Sequence, residues 1–280
     1  MLVGIFAAVS ALISLGVSLS CGAFGTMNWL WFTPVVFAVA YLGCWLVGFV
    51  ALCIACAVVD LNKPQEKDNR FYRIVAELVI GGVMTQFGIK VKSTGMEKVP
   101  AQGRFILMCN HRDDSDPAIL LHCFRKYQLA FISKWENYSK FVIGPVMHKI
   151  LCQPINREND REALKTILKC IDIIKQDLAS IAVFPEGYIH DDLKLHPFRP
   201  GVFKIAQRTK VPVVICTLKN TPAVFPNLYR LKPTTVELNV LDVLYPEDYE
   251  GKSTVEISHR VHAMMAADLG PELVFQAENT

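Results

Sequence analysis

Phe105-Ile-Leu-Met-Cys-Asn-His-Arg-Asp-Asp-Ser-Asp-Pro117 is an apolar run that breaks into a charged turn and ends on a proline. The continuous apolar residues Phe105–Cys109 read as a short strand enclosed on both faces. Pro117 suits the first position of a helix, where its missing N–H has no intrahelical partner to lose, and Ala118–Phe124 continues as that helix. The stretch is therefore a strand, a tight turn and a helix in succession. Outward from it the alternation recurs. Ile89–Lys92, Ala130–Ser133, Ile181–Phe184, Val211–Leu218 and Val236–Val243 read as strands, and Arg161–Gln176, Val202–Arg208 and Thr254–Leu269 as helices. Strands alternating with helices, with no internal repeat or low-complexity linker, predict one α/β domain.

The chain has 280 residues, 52% hydrophobic and 20% charged, with a net charge of +3. That apolar content excludes a disordered chain, and the charge is too mild for a general nucleic-acid binder. Residues 1–59 hold no Asp, Glu, Lys or Arg; all 29 basic and 26 acidic residues fall in 60–280. Two apolar runs, residues 1–20 and 29–59, each reach the ~20 residues that cross a bilayer, and Cys21–Asn28 joins them as a turn. A cleaved signal peptide would begin with basic residues; this chain has none there, and a second apolar run follows at once. A retained two-helix hairpin is expected.

Lys63, Lys67, Arg70 and Arg73 follow the second run while the turn has no basic residue, which places the following domain on the cytoplasmic side. A hairpin dipping into one leaflet would expose the same domain. Phe71–Ile80 has helical period, with Phe71, Ile74, Val75, Leu78 and Val79 on one face and Arg73 and Glu77 opposite. It reads as an interfacial helix or as a core helix of the domain, ended or bent at Gly81-Gly82. The expected division is a membrane anchor over 1–60, a juxtamembrane amphipathic segment over 61–88 and a cytoplasmic domain over 89–280. The nine cysteines show no disulfide framework, and Cys53-Ile-Ala-Cys56 lies in the apolar run, consistent with a reducing compartment.

Four islands carry chemistry. In the first, His111 and Asp116 flank the tight turn, five residues apart and within reach of each other. A histidine held by a carboxylate is the general-base half of a catalytic triad. No G-x-S-x-G elbow supplies a nucleophilic serine, so the base would act directly on an incoming hydroxyl. The same two residues also read as a helix cap and a loop histidine. His111 with Asp113, Asp114 and Asp116 forms no recognised metal cage, and no metal is expected. In the second island, Pro154-Ile-Asn-Arg157 opens the long helix, where an arginine suits a phosphate. In the third, Val183-Phe-Pro-Glu-Gly-Tyr188 is a strand breaking into a turn. Glu186 there is placed to hydrogen-bond a polyol and Gly187 permits close backbone approach; a plain turn is the other reading. The fourth, Phe198-Arg-Pro-Gly-Val-Phe-Lys204, leads to the buried strand Val211-Pro-Val-Val-Ile215.

In this order the islands are specific. The sequence resembles the lysophosphatidic acid acyltransferase (1-acylglycerol-3-phosphate O-acyltransferase) family of the glycerolipid acyltransferases. The resemblance is carried by N-H-x4-D at Asn110–Asp116, I-x-R at Ile155–Arg157, F-P-E-G at Phe184–Gly187 and V-P-V-V at Val211–Val214. Lys134-Trp-Glu136 and Phe198-Arg-Pro-Gly201 look like family connectors. The resemblance implies a central, mostly parallel sheet flanked by helices, with His111 as base and Asp116 as its orienter. It makes Arg157 and Glu186 acceptor-binding residues, with Asn110, Lys134, Gly187 and Arg199 as further substrate-binding candidates.

The implied activity moves a fatty acyl group from an acyl-CoA or acyl carrier protein thioester to the free hydroxyl of lysophosphatidic acid, giving phosphatidic acid. The implied partners are the lysophospholipid, the thioester donor and the cell membrane, with the domain on its cytoplasmic side and no cofactor. One departure stands out. The family often follows F-P-E-G with Thr or Ser and then Arg, where this chain has Tyr188-Ile189-His190; His190, Lys194 and Arg199 are the candidate substitutes. Acylation of another lyso-lipid, such as lysophosphatidylethanolamine or a lyso-aminolipid, is the nearest alternative. A lipid hydrolase lacks its serine elbow, and a silent lipid-binding protein has no need of both His111 and Asp116.

Overall fold

The computed structural model describes residues 1–276. Its helices are α1 (Leu2–Ser20), α2 (Trp29–Ala57), α3 (Arg70–Gln86), α4 (Asp116–Cys123), α5 (Ile143–Lys149), α6 (Asp160–Lys175), α7 (Lys204–Thr209), α8 (Val224–Tyr229), α9 (Pro246–Tyr249) and α10 (Thr254–Leu269). The strands are β1 (Ile89–Thr94), β2 (Ile106–Cys109), β3 (Leu129–Lys134), β4 (Gln153–Ile155), β5 (Ser180–Val183), β6 (Val213–Lys219) and β7 (Thr234–Leu244). They form one sheet in the order β1-β7-β6-β2-β5-β3-β4. Every neighbouring pair is parallel except β6 and β7, so the sheet is mostly parallel, as the resemblance implied.

The central strands are buried along almost their whole length, and β2 is apolar at every position, because helices cover both faces. Ile106 and Met108 of β2 belong to a core shared with α6, α7 and α10. Leu107 and Cys109, on the other side of the pleat, pack against residues of α3 and α4. β2 lies between β5 and β6, pairing Ile106 with Ile181 and Cys109 with Cys216.

Two elements differ from the sequence reading. Pro154 and Ile155 belong to β4, not to the start of the long helix. A three-residue strand has no alternation to read, and its proline is tolerated because β4 is an edge. Helix α6 begins at Asp160, where the Asn159 side chain accepts from Arg161 N at 3.1 Å and Glu162 N at 3.2 Å. Arg157 therefore sits in the turn before the helix, and the helix-terminus argument for it does not apply.

The second difference is α3, which runs through Gly81-Gly82 to Gln86. A side chain at Gly82 would meet Trp45 at 3.0 Å and Leu2 at 3.3 Å, and one at Gly81 would meet His122 at 3.2 Å. The glycines mark close packing of α3 against the hairpin at Gly82 and against α4 at Gly81, and that packing holds a helix that glycine alone disfavours.

Arg73, read as a solvent-facing charge, is buried. Its Nε donates to both Asp68 carboxylate oxygens, at 3.1 and 2.9 Å, and its Nη1 donates to Leu129 O at 3.0 Å. It fastens α3 to the domain and leaves Lys63, Lys67 and Arg70 as the exposed basic residues after α2. Arg73→Leu strands a buried carboxylate and should destabilise the fold by about 3–5 kcal/mol, read as a lowered melting temperature of the detergent-solubilised protein.

Helices α1 and α2 are long and apolar enough to cross a membrane, and the rest of the protein covers little of either. They pair through polar side chains facing inward. Ser14 Oγ donates to Thr33 O at 2.7 Å, and Ser18 Oγ lies 2.8 Å from Thr33 Oγ1. Small residues along one stripe allow this close approach between apolar helices. The 29 residues of α2 extend about 44 Å, more than the ~30 Å hydrocarbon layer. The excess is docked: Leu52 and Cys56 pack into the domain core, and Tyr72 Oη donates to Ala55 O at 2.6 Å.

Candidate active site

Parallel pairing puts the carboxyl ends of β2, β3, β4 and β5 on one edge of the sheet, the side where open α/β sheets bind ligands. The chain leaves β2 through His111, β3 at Lys134, β4 toward Arg157 and β5 toward Glu186. One edge thus collects islands far apart in sequence.

His111 and Asp116 meet. His111 Nδ1 lies 2.9 Å from Asp116 Oδ2, and that oxygen also accepts from Arg112 N at 2.7 Å and Asp113 N at 2.9 Å. Asp116 is 0% exposed. The turn's own amides hold the carboxylate, and the carboxylate holds the ring; Asp116 is the first residue of α4 and caps none of its amides, the N-cap position being Ser115. The His111 ring stacks on Phe184, with centroids 4.1 Å apart and an interplanar angle of 17°. Among the described residues nothing hydrogen-bonds His111 Nε2, which leaves it available to a substrate proton.

Glu186 is 3% exposed. Its Oε1 accepts from His111 N at 2.8 Å and its Oε2 from His196 N at 3.0 Å. Burial raises its carboxyl to about 7 against the pull of those two amides. Each oxygen thus accepts one backbone amide, and Glu186 clamps two loops together. Asn110 is engaged likewise, giving its Nδ2 to Leu218 O at 3.0 Å and accepting Leu218 N at 2.8 Å. It laces the ends of β2 and β6 together and is buried.

The arginines converge elsewhere on the same edge. Arg157 and Arg199 each lie 4.8 Å from the centroid of the Tyr188 ring. Gly187, at φ +84°, allows this, because a side chain there would meet Arg199 Cδ and Nε at 3.0 Å. Burial is the main cause that lowers the Arg157 guanidinium from its usual range, with Arg199 adding to it. The tyrosine that departs from the family pattern is therefore what gathers two cations. Lys134 ends β3 with an exposed side chain.

Sequence reading missed the support behind these groups. The strand and motif readings of Phe184 give no sign that its ring supports His111. The loop after Tyr188 is tied down by Arg112 Nε donating to Leu193 O at 2.8 Å and by the C-terminal stretch, where Leu195 N donates to Leu273 O at 2.7 Å. His196 stacks on both His190, at 3.6 Å, and Phe275, at 4.3 Å. Aromatic rings eighty residues apart carry no mutual signal in one sequence.

Comparison with known proteins accords with this geometry. Residues 90–219 match the Acyltransferase family model, a span that contains all four islands. The chain is 32% identical over 159 residues to a chloroplastic 1-acyl-sn-glycerol-3-phosphate acyltransferase of Brassica napus, covering 56% of this chain and 45% of that one. It is 31% identical over 191 residues to the Chlamydomonas reinhardtii enzyme of that name, covering 67% and 55%. A probable enzyme of that name from Mycoplasma pneumoniae is 30% identical over 185 residues, covering 65% and 66%. The chain thus spans about half the length of the plant and algal relatives. The fold is shared with the crystal structure of the 1-acyl-sn-glycerophosphate (LPA) acyltransferase PlsC from Thermotoga maritima, with TM-score 0.59 and 19% identity over 84% of this chain and 91% of that one. Motif order, fold and sequence likeness agree: residues 90–219 form a domain of the Acyltransferase family, and the chain is similar to the 1-acyl-sn-glycerol-3-phosphate acyltransferases.

Proposed function

We propose that the protein transfers a fatty acyl group from a thioester, acyl-CoA or acyl carrier protein, to the free hydroxyl of lysophosphatidic acid, forming phosphatidic acid. The observation that carries the reading is His111, braced at Nδ1 by a buried carboxylate and unengaged at Nε2. Nε2 takes the hydroxyl proton as the oxygen attacks the acyl carbonyl. Asp116 fixes the tautomer and stabilises the imidazolium. Collapse of the tetrahedral intermediate breaks the carbon–sulfur bond, and the thiolate leaves with the proton from His111. The reading needs no metal or organic cofactor. Steady-state assays of the purified protein against a panel of lyso-lipids, with both donor types, test it: diacyl product that requires a thioester supports transfer, and fatty acid released without acceptor refutes it.

The acceptor phosphate is assigned to the Arg157–Tyr188–Arg199 cluster, where two cations share one ring. A guanidinium grips two phosphate oxygens where lysine offers a point charge. Arg157→Lys and Arg199→Lys should each raise the acceptor KM, by roughly 10- to 150-fold for a lost charge-assisted contact of about 1.5–3 kcal/mol, with the donor KM unchanged. If neither changes acceptor kinetics, the natural acceptor is a different lyso-lipid.

The protein is assigned to the cell membrane, with residues 1–60 as anchor, 61–88 as juxtamembrane segment and 89–280 as the cytoplasmic domain. Lys63, Lys67 and Arg70 beside the end of α2 support that side. In a cysteine-free background, Tyr229→Cys, on an exposed helix end, should react with an impermeant maleimide only after the cells are opened. Labelling of intact cells would reverse the orientation.

A further inference from the structure

The segment between β3 and α5 exposes Trp135 (65%), Phe141 (60%) and Ile143 (48%). Large apolar side chains set this close together exceed the single scattered ones of an ordinary surface. The segment is also firmly built. Trp135 stacks on Tyr138 at 6.5 Å, and Tyr138 packs into the core beside Val142 and Val146. Gly144, in the first turn of α5, lies so close to the Tyr138 carbonyl that any side chain there would collide with it. The apolar groups are held outward while their neighbours are fixed inward.

Two contacts place the segment. Cys56, in the last turn of apolar α2, donates its thiol to Val142 O at 3.8 Å, so Phe141 and Ile143 flank the foot of the hairpin. At the other end Trp135 follows directly on β3, whose Phe131 stacks on Phe184 at 6.2 Å, and Phe184 stacks on His111. Exposed Lys134 and Lys140 bracket the aromatic residues. On α3, which packs against α5, Phe71 and Ile74 are exposed as well. Aromatic and aliphatic groups interleaved with lysine suit the headgroup layer of a bilayer, where rings sit at the interface and ammonium groups meet anionic lipid.

We propose that Trp135–Ile143 lies in the headgroup layer of an anionic bilayer as a second membrane contact beside the hairpin. It is the surface over which a membrane-resident lysophospholipid passes to His111. The second part rests on the acyltransferase reading above; the first does not. A hairpin alone leaves the domain free to swivel about its stem, whereas two separated contacts turn the His111 edge toward the lipid.

The experiment uses the full chain with Trp29, Trp31 and Trp45 changed to Phe, so that Trp135 is the single tryptophan, in vesicles of phosphatidylcholine and phosphatidylglycerol with brominated acyl chains. Trp135 emission should be blue-shifted and quenched, and less so in phosphatidylcholine alone. In otherwise wild-type protein, W135A/F141A/I143A should lower kcat/KM for long-chain lysophosphatidic acid in vesicles by about tenfold. The value for a water-soluble short-chain acceptor should stay within about twofold, which also certifies the fold. Unquenched, solvent-like emission from Trp135 in the anionic vesicles overturns the contact. A quenched Trp135 with equal losses on both acceptors overturns the entry route. If wild type turns over no lysophospholipid at all, the acyltransferase reading fails, and quenching still decides the contact.

Discussion

Replacing His111 by alanine should reduce kcat by about 10²- to 10⁴-fold, the usual contribution of a positioned base, with the chain still folded and membrane-bound. The loss should fall on kcat rather than on either KM, because the ring meets the proton in transit and not the head group. Asp116→Asn should be nearly as damaging. Asp116 Oδ2 accepts from His111, Arg112 and Asp113 together. An amide there lacks the charge that holds three donors, and through its NH2 it can reverse the imidazole tautomer. EDTA should not reproduce either loss. Steady-state kinetics with saturating acceptor check all three, and His111→Ala activity within a few-fold of wild type would refute the base assignment.

Glu186→Gln should lower kcat with the acceptor KM nearly unchanged. Its two oxygens accept from His111 N and His196 N, and an amide replaces one acceptor with a donor that faces another N–H. Loss of a hydrogen bond to a charged group, about 1.5–3 kcal/mol, translates into roughly 10- to 150-fold if all of it appears in the positioning of His111. A dominant rise in acceptor KM would instead make Glu186 a ligand for substrate. The same residue makes stability depend on pH. Burial raises it from 4.5 to about 7, so between those values the native chain holds a proton that the unfolded chain has released. Stability from this group is therefore greatest toward the acid end of that window and falls as pH rises through it, at up to about 1.4 kcal/mol per pH unit. Denaturant titrations of wild type and Glu186→Gln at pH 5 and pH 8 should show that slope shrink in the variant.

The alternation of apolar runs with helical periods determined the α/β class, because a strand buried on both faces is predominantly apolar, as Ile106–Cys109 is throughout. Local rules also reached α10, found at the expected Thr254–Leu269 with Ser253 as its cap, and the two long helices of the hairpin, since each is one uncharged apolar run with a turn between them. The pairing of His111 with Asp116 was legible because both belong to one turn. What lay beyond sequence was everything fixed by residues distant along the chain. β4 exists because Lys134 and Ile155 are paired across the sheet edge. α3 continues through two glycines because Trp45 and His122 close on them. Arg73 turned from surface charge to buried fastener because Asp68 and the Leu129 carbonyl surround it. Glu186 accepts from amides of two separate loops, and Asn110 is paired with Leu218 of β6, partners that no local pattern announces. A side chain's type sets which partners it accepts; only the folded chain decides which partner arrives.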